Sequence, residues 1–421
     1  MLFTRVSSPS IRAATLADEV QSLTEHFRQL WWQSQRSLPD LGPAYDARTQ
    51  ASKEREFNRL IDGLVVELKH LSPEPGTRQA LQNRLRAHGV SLARDALRLE
   101  DRHLDFIEHC GLLDATQEFA RMARGFDPEI SGEDIYQAGR NVMTMNFLQL
   151  LMGLPVKVTP SVFAYSMLYP YTDNYLDDPA MSVKTKRAFN ERFEARLGGG
   201  APVLVNRHEE MIGNLVGMIE GEFERSKHPL VWESLLAIHA AQVRSLRLVA
   251  PGASPFEQDV VGITFEKGGT SVLADGYLVA GWLSQEEAAF CYGYGCFTQL
   301  MDDLEDVQSD QKEGRLTIYA QTAGRWPLDL ITNQTIHFGR NLNHLISAFD
   351  SPACQPFKEL IERSLDPVMI DIIGRAERYY SREYVREVER HTPFRFAATR
   401  KVRQKLERKR VSLGRLVDLM L

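Results

Sequence analysis

The spacing of apolar residues along this chain restricts it to a helical fold. Over residues 13–37 apolar side chains recur every three or four positions, and the same spacing returns over residues 51–71. That period places the apolar side chains on one face of an α-helix. No stretch of any length alternates apolar and polar residues as a half-buried strand does, and the sequence has no internal repeat. The sequence therefore predicts an all-α protein.

An acidic run, residues 299–310, interrupts one of these apolar helices. Asp302 and Asp306 are four positions apart, so on a helix they share one face with their Cβ atoms about 5–6 Å apart. Two carboxylates at that spacing repel each other mildly, and one divalent cation would neutralise both. A solvated acidic face is the alternative for such a run, but Leu300 and Leu304 are interleaved with the acids. We therefore expect a half-buried helix that carries its carboxylates at the edge of a site.

A second acidic cluster, residues 173–178, lies upstream at the end of another apolar and aromatic helix. Thr159 and Pro160 provide an N-cap and a first-turn proline for that helix. Asp173 and Asp177 again share a face at a spacing of four. Carboxylate ligands suit Mg²⁺, which usually takes one or two of them and completes its octahedron with water and substrate phosphate. The two clusters together predict a Mg²⁺–diphosphate site.

These two clusters resemble the aspartate motifs of the class I isoprenoid synthases, which include trans-prenyl diphosphate synthases, terpene synthases, and squalene and phytoene synthases. The first motif is represented by Asp173, Asp177 and Asp178, and the second, in the form DDxxD, by Asp302, Asp303 and Asp306. Asp310 and the pair Gly314-Arg315 resemble the continuation of the second motif. The resemblance covers roughly residues 80–421. It implies a helical bundle around a central apolar cavity. It also implies that the six aspartates of the two motifs, without Asp310, are ligands of three Mg²⁺ ions.

Two further matches concern the substrate diphosphate. Lys267 resembles the lysine that contacts diphosphate in prenyl synthases, and Arg378-Tyr379 resembles an Arg-Tyr pair of terpene synthases. The resemblance implies that Lys267, Arg315, Arg378 and Tyr379 bind the diphosphate. It also implies that catalysis depends on Asp173, Asp177, Asp302, Arg378 and Tyr379.

The sequence departs from the chain-elongating members of that superfamily. It has no Gly-Lys-Arg motif near its start and no Arg-Arg pair in residues 179–187, and in those enzymes both features bind a second diphosphate. This favours a terpene synthase, a carbon–oxygen lyase that ionises one allylic prenyl diphosphate and releases diphosphate with a cyclic or linear terpene. A transferase that joins prenyl units head-to-tail or head-to-head is the alternative, because the second motif is a DDxxD. A non-catalytic helical binding protein is the third hypothesis.

Residues 257–282 form an apolar stretch that contains Gly268 and Gly269. Paired glycines cost a helix about 1 kcal/mol each relative to alanine, so they predict a kink or a close approach to a ligand, with an inter-helix loop as the alternative. Aromatic side chains near the motifs are candidate walls for a carbocation: Phe163, Tyr165, Tyr169, Phe265, Tyr277 and Phe297.

The remaining predictions concern the whole chain. The Pro- and Gly-containing segment 72–76 predicts a boundary between an N-terminal helical extension, residues 1–76, and the catalytic domain, residues 77–421. The four cysteines have no metal-finger or redox spacing, which favours a cytoplasmic protein. No apolar run is long enough to span a membrane. Nucleic acid is not an expected partner, whereas peripheral membrane contact and a homodimer stay open.

The charge of −6 is unevenly distributed, because residues 395–415 carry nine Lys or Arg against one Glu. The sequence leaves open whether this basic C-terminal helix is a solvated face, a lid over the acidic site or a contact with an anionic surface.

Overall fold

The computed structural model describes residues 15–69, 84, 87–90, 94, 97–177, 181–203, 205–249 and 254–409. The helices with defined bounds in these residues are seventeen α-helices and three short 3₁₀ segments, with no β-strand. The prediction of an all-α protein is confirmed. The isoprenoid synthase-like arrangement of the helices stays a prediction.

The first nine α-helices include the helix of the first aspartate motif, which is the sixth. They are α1 Leu16–Gln33, α2 Ala47–Lys69, α3 Asp101–His109, α4 Leu112–Phe126, α5 Gly132–Leu151, α6 Pro160–Asp177, α7 Val183–Leu197, α8 Arg207–Glu222 and α9 Pro229–Ser245. The other eight are α10 Val260–Ala280, α11 Gln285–Glu305, α12 Val307–Glu313, α13 Ile318–Thr322, α14 Asp329–Leu342, α15 Cys354–Arg375, α16 Arg382–Glu389 and α17 Phe396–Arg408.

Local sequence signals fix the ends of the two central helices. The side chain of Ser284 accepts a hydrogen bond from the backbone N–H of Glu287, and the Glu287 carboxylate accepts one from the backbone N–H of Ser284. This capping box starts α11. Gly281, with φ of 80°, ends α10 in the left-handed conformation that glycine adopts without strain. The two helices are thereby joined by a short turn and pack side by side.

Helices α10 and α11 touch backbone to backbone. A Cβ atom on Gly268 would lie 2.3 Å from the carbonyl oxygen of Gly295, and a Cβ atom on Gly295 would lie 2.1 Å from the carbonyl oxygen of Gly268. On Gly269, a Cβ atom would lie 2.4 Å from the ring of Tyr292. Helix α10 continues through both glycines. The alternative of an inter-helix loop is therefore wrong. These glycines give room to a neighbouring helix, while a kink and a close approach to a ligand stay predictions.

Helix α1 belongs to the main core. Phe27 and Trp31 are buried, with Phe27 stacked on Tyr292 at 6.1 Å between ring centroids and Trp31 edge-on to Phe265 at 6.4 Å. This part of the predicted N-terminal extension thus packs directly against α10 and α11. The boundary at residue 76 lies outside the described residues, and the division into two domains stays a prediction.

A smaller apolar cluster joins the two ends of the described chain. Ile61 and Val65 of α2 pack against Val402 of α17. None of the helices in the described residues is long and apolar enough to cross a membrane.

Candidate active site

An acidic pocket of roughly 1030 Å³, its open mouth included, lies where α11 ends. Five aspartates line it: Asp173, Asp302, Asp303, Asp306 and Asp310. Asp173 comes from the last turns of α6, and the others come from α11, α12 and the residue between them. The structure therefore brings the first motif, through Asp173, to the second. Asp177 is the last residue of α6, and Asp178 lies outside the described residues.

The second motif spans a break between two helices. The sequence predicts one helix to residue 307 followed by a polar loop, but α11 ends at Glu305 and α12 starts at Val307. Asp306 lies between them and is the C-cap of α11 and the N-cap of α12. The second helix carries Asp310 into the pocket, where its Oδ2 accepts a hydrogen bond of 3.2 Å from the Thr317 hydroxyl.

Two carboxyl groups of this pocket, those of Asp303 and Asp310, are buried. Asp303 is buried; its Oδ1 accepts a hydrogen bond of 2.9 Å from the Gln299 amide, and its Oδ2 accepts one of 3.4 Å from the Thr264 hydroxyl. Burial raises the pKa of Asp303 to about 7, although Lys267 acts in the opposite direction. Burial and the charge of Asp306 raise the pKa of Asp310 to about 6. The pKa of Asp306 is also raised, by burial and by Asp302. Cations that bind here would displace protons and relieve this repulsion.

The donors of the pocket suit Mg²⁺. Among the residues that the structure describes, no Cys or His lines it, and its side chains offer oxygen atoms of carboxylates, an amide and hydroxyls. Among the described residues, no three His, Cys, Asp or Glu side chains form a group that could hold a metal ion by themselves. Mg²⁺ does not require such a group, since it usually combines one or two carboxylates with water and substrate phosphate. Asp173, Asp302, Asp303 and Asp306 are the residues that would hold it.

Asp302 has a partner that the sequence did not indicate. The Arg140 guanidinium, from α5, lies 3.0 Å from Asp302 Oδ1, and both side chains are about half exposed. These residues are 162 positions apart, and only the packing of α5 near the end of α11 brings them together. A cation bound at Asp302 would compete with this ion pair.

Two cationic residues predicted from the family resemblance do line the acidic pocket. Lys267 lines the pocket from α10, where it directly precedes Gly268 of the glycine contact with α11. Arg315 follows Gly314, whose φ of 72° ends α12, and its backbone N–H donates a hydrogen bond of 2.9 Å to the Asp310 carbonyl. The turn at Gly314 thus places Arg315 close to Asp310, five residues earlier in the chain. It returns Arg315 to the pocket, with Nε 3.9 Å from Asp310 Oδ1 and 2.7 Å from Glu313 Oε2.

An apolar cavity of roughly 1060 Å³, its mouth included, adjoins the acidic pocket. The two share part of their lining: Tyr169, Asp173, Ser245, Lys267 and Arg315. Beyond this border the walls are mainly apolar, from Leu168, Leu176, Phe193, Leu197, Leu235 and Ile238. Of the aromatic candidates, Tyr165 and Tyr169 line the cavity. The other four are buried in the core: Phe163, Phe265, Tyr277 and Phe297.

Arg378 and Tyr379 line neither the acidic pocket nor the apolar cavity. They lie in a 3₁₀ turn between α15 and α16, where the Arg378 guanidinium donates to the Tyr379 hydroxyl and stacks on its ring at 4.6 Å. The Tyr379 carbonyl accepts a hydrogen bond of 3.0 Å from the backbone N–H of Leu328. Two adjacent residue types do not reveal which way a turn faces, and the role of this pair at the diphosphate stays a prediction.

The basic helix α17 lies on α2 and α15. Three of its cations have acidic partners: Arg400 pairs with Glu377, Arg403 with Asp371, and Lys405 with Asp62. The described residues of α17 line neither the acidic pocket nor the apolar cavity, so a lid formed by this helix is not observed. Contact with an anionic surface stays a prediction.

A scan against protein-family models and searches of curated proteins and of solved structures found no match. The resemblance carried by the aspartate motifs therefore stays a hypothesis that rests on the residues of this chain. The structure itself shows an acidic pocket that shares part of its lining with an apolar cavity.

Proposed function

We propose that this protein is a class I isoprenoid synthase, specifically a Mg²⁺-dependent terpene synthase that ionises an allylic prenyl diphosphate. The cation would become a cyclic or linear terpene, with release of diphosphate. The observation that carries the proposal is the shared border of the acidic pocket and the apolar cavity, formed by Asp173, Lys267 and Arg315. A prenyl diphosphate has an anionic head and an apolar tail, and it would lie across this border.

The acidic pocket supports the head of such a substrate. Mg²⁺ held by Asp302, Asp303, Asp306 and Asp173 would act as a Lewis acid on the diphosphate leaving group. Lys267 and Arg315 would donate charge-assisted hydrogen bonds to the phosphate oxygens. Because both cations lie on the border, they would hold the leaving group where the C–O bond breaks.

The apolar cavity supports the tail and the cation that ionisation leaves. Its apolar walls would exclude water and limit the shapes that the chain can adopt before it reacts. Tyr165 and Tyr169 line the same space, and an aromatic face stabilises a nearby cation by about 0.5–2 kcal/mol. Positive charge would first appear near the border, where the C–O bond breaks, and these two rings lie on that side of the cavity.

The test is turnover of single prenyl diphosphates, from geranyl to geranylfarnesyl diphosphate, by purified protein with Mg²⁺. We expect diphosphate and a hydrocarbon or alcohol from at least one substrate. The Asp302→Asn variant should lose this activity by about a hundredfold or more. Asp114→Asn, on an exposed position of α4, is the matched control and should retain it.

The same experiment separates the alternatives. Longer diphosphates that form only when isopentenyl diphosphate is added would indicate head-to-tail transfer. A coupled product from two copies of one substrate would indicate head-to-head transfer. Absence of diphosphate release under all these conditions would refute the enzyme and favour the binding protein.

A further inference from the structure

The apolar cavity contains a histidine that the proposed ionisation step does not use. His239 of α9 lines the cavity and is 8% exposed, with its ring edge-on to Phe193 at 5.2 Å between centroids. Its neighbours on α9, Leu235 and Ile238, line the same wall. Among the described lining residues, the other Asp, Lys and Arg side chains all lie on the border with the acidic pocket. His239 thus lies outside the charged border, on a mainly apolar wall.

The surroundings of His239 favour the neutral form of its imidazole. Burial lowers its pKa, whereas the carboxylate of Glu194 and a backbone hydrogen bond at Asn190, both on α7, act in the opposite direction. A neutral imidazole has one ring nitrogen with a free lone pair. A neutral imidazole in this cavity can accept a proton but does not repel a cation, as an imidazolium would.

We propose that His239 is the base that ends the reaction, an inference that rests on the proposed function. A C–H bond on the carbon next to the cationic centre breaks, and its electron pair becomes the new C=C bond of the terpene. The proton passes to the unprotonated ring nitrogen of His239. After the product leaves, the imidazolium returns that proton to solvent. His239 would then direct the enzyme to an olefin and select the C–H bond that is lost.

Gln242 provides a matched control for this role. It lies one turn after His239 on α9 and lines the same cavity, but its amide cannot accept a proton at neutral pH. His239→Phe and Gln242→Leu both remove a polar group from the wall, whereas His239→Gln keeps one. Only the His239 variants also lose a base.

The experiment compares His239→Gln, His239→Phe and Gln242→Leu with the parent, on the allylic diphosphate that the parent converts. We expect His239 variants to release diphosphate within about threefold of the parent rate, because ionisation does not need the base. Their share of the olefin that the parent makes should fall at least about tenfold, in favour of alcohol or other isomers. Gln242→Leu should keep the olefin share of the parent.

A binding measurement tests the same contact without turnover. A prenyl tertiary ammonium ion, with Mg²⁺ and inorganic diphosphate, imitates the ion pair after ionisation, and its N–H would donate to the lone pair of His239. Calorimetry should show a loss of affinity at least about tenfold larger in His239→Phe than in Gln242→Leu.

Several results would overturn the proposal. An unchanged olefin share in both His239 variants would show that the proton passes to another acceptor, such as the released diphosphate. Loss of diphosphate release in His239→Gln would assign the residue to the fold or to ionisation. A parent protein that releases no diphosphate from any prenyl substrate would refute the proposed function itself, a result that is distinct from a failure of the His239 variants alone.

Discussion

Asp303 makes the stability of the metal-free protein depend on pH. Its pKa in the folded protein is about 7, whereas an unfolded aspartate titrates near about 3.9. Between these values the folded state binds more protons than the unfolded state, so the free energy of unfolding falls as pH rises from about 4 to about 7. The asparagine in Asp303→Asn cannot titrate. We expect the decrease in the free energy of unfolding from pH about 4 to pH about 7 to be smaller in this variant than in the parent by on the order of 2–4 kcal/mol.

Urea unfolding in the presence of a chelator, at several pH values, measures this difference. Asp114→Asn on α4 should behave as the parent does, because its side chain is exposed. Parallel pH profiles for the parent and Asp303→Asn would show that Asp303 is already ionised at low pH. In the parent, Mg²⁺ should bind more tightly above pH about 7 than below pH about 6 and should release protons as it binds.

The ion pair of Arg140 and Asp302 gives a second prediction at the residue scale. Arg140→Gln removes the cation that competes with a metal at Asp302, so the affinity for Mg²⁺ without diphosphate should rise a few-fold. The free energy of unfolding should change by less than about 1 kcal/mol, because the pair is half exposed.

Metal titration by calorimetry measures the affinity, and chemical denaturation measures the stability. Arg187→Gln breaks an exposed pair with Glu191 on α7 and is the control for a general change in charge. Weaker Mg²⁺ binding in Arg140→Gln would mean that Arg140 orients the carboxylate and does not compete for it.

At the scale of elements, the glycine contact between α10 and α11 sets the position of the site. Gly268 lies next to Lys267 and against Gln299, so the contact fixes Lys267 relative to the second aspartate motif. Gly295→Ala would force these backbones apart, and we expect a loss of about 3 kcal/mol or more in the free energy of unfolding. Diphosphate binding should weaken in parallel.

The control is Gly217→Ala on α8, where an added Cβ would meet nothing within 4 Å. This substitution should stabilise the protein by up to about 1 kcal/mol, since alanine favours a helix over glycine. Thermal and urea unfolding compare the two variants. Equal effects would show that α10 and α11 can separate without cost.

The features that short-range periodicity encodes were predictable from the sequence. Spacings of three and four residues predicted the helices, and the spacing of Asp302 and Asp306 predicted one shared surface, which both residues do line. Long-range packing left no such signal. Arg140 reaches Asp302 only through the packing of α5. A pair of glycines looks the same in the sequence whether it lies at a kink, at a ligand or at a neighbouring helix. The side of a helix on which His239 meets a cavity likewise depends on its partners.

At the scale of the whole molecule, α1 is as much a part of the core as the helices of the site. Trp31 is 1% exposed, while the next residue, Trp32, is 53% exposed. Trp31→Ala should therefore cost about 3–5 kcal/mol in the free energy of unfolding, and Trp32→Ala should cost less than about 1 kcal/mol. Circular dichroism during urea unfolding measures both. Similar small losses would show that α1 can detach while the rest of the fold persists.

The burial of α1 also has a consequence for how the chain is made. The indole N–H of Trp31 donates to the Thr335 hydroxyl, 304 residues later, and Thr24 shares a hydrogen bond with Tyr292, 268 residues later. A ribosome adds about 5–20 residues per second, so α1 waits on the order of tens of seconds for these partners to be synthesised. Its apolar face also lacks α9 and α10, which pack on it in the folded protein, until those helices are synthesised. We expect this nascent helix to be the segment that chaperones hold longest.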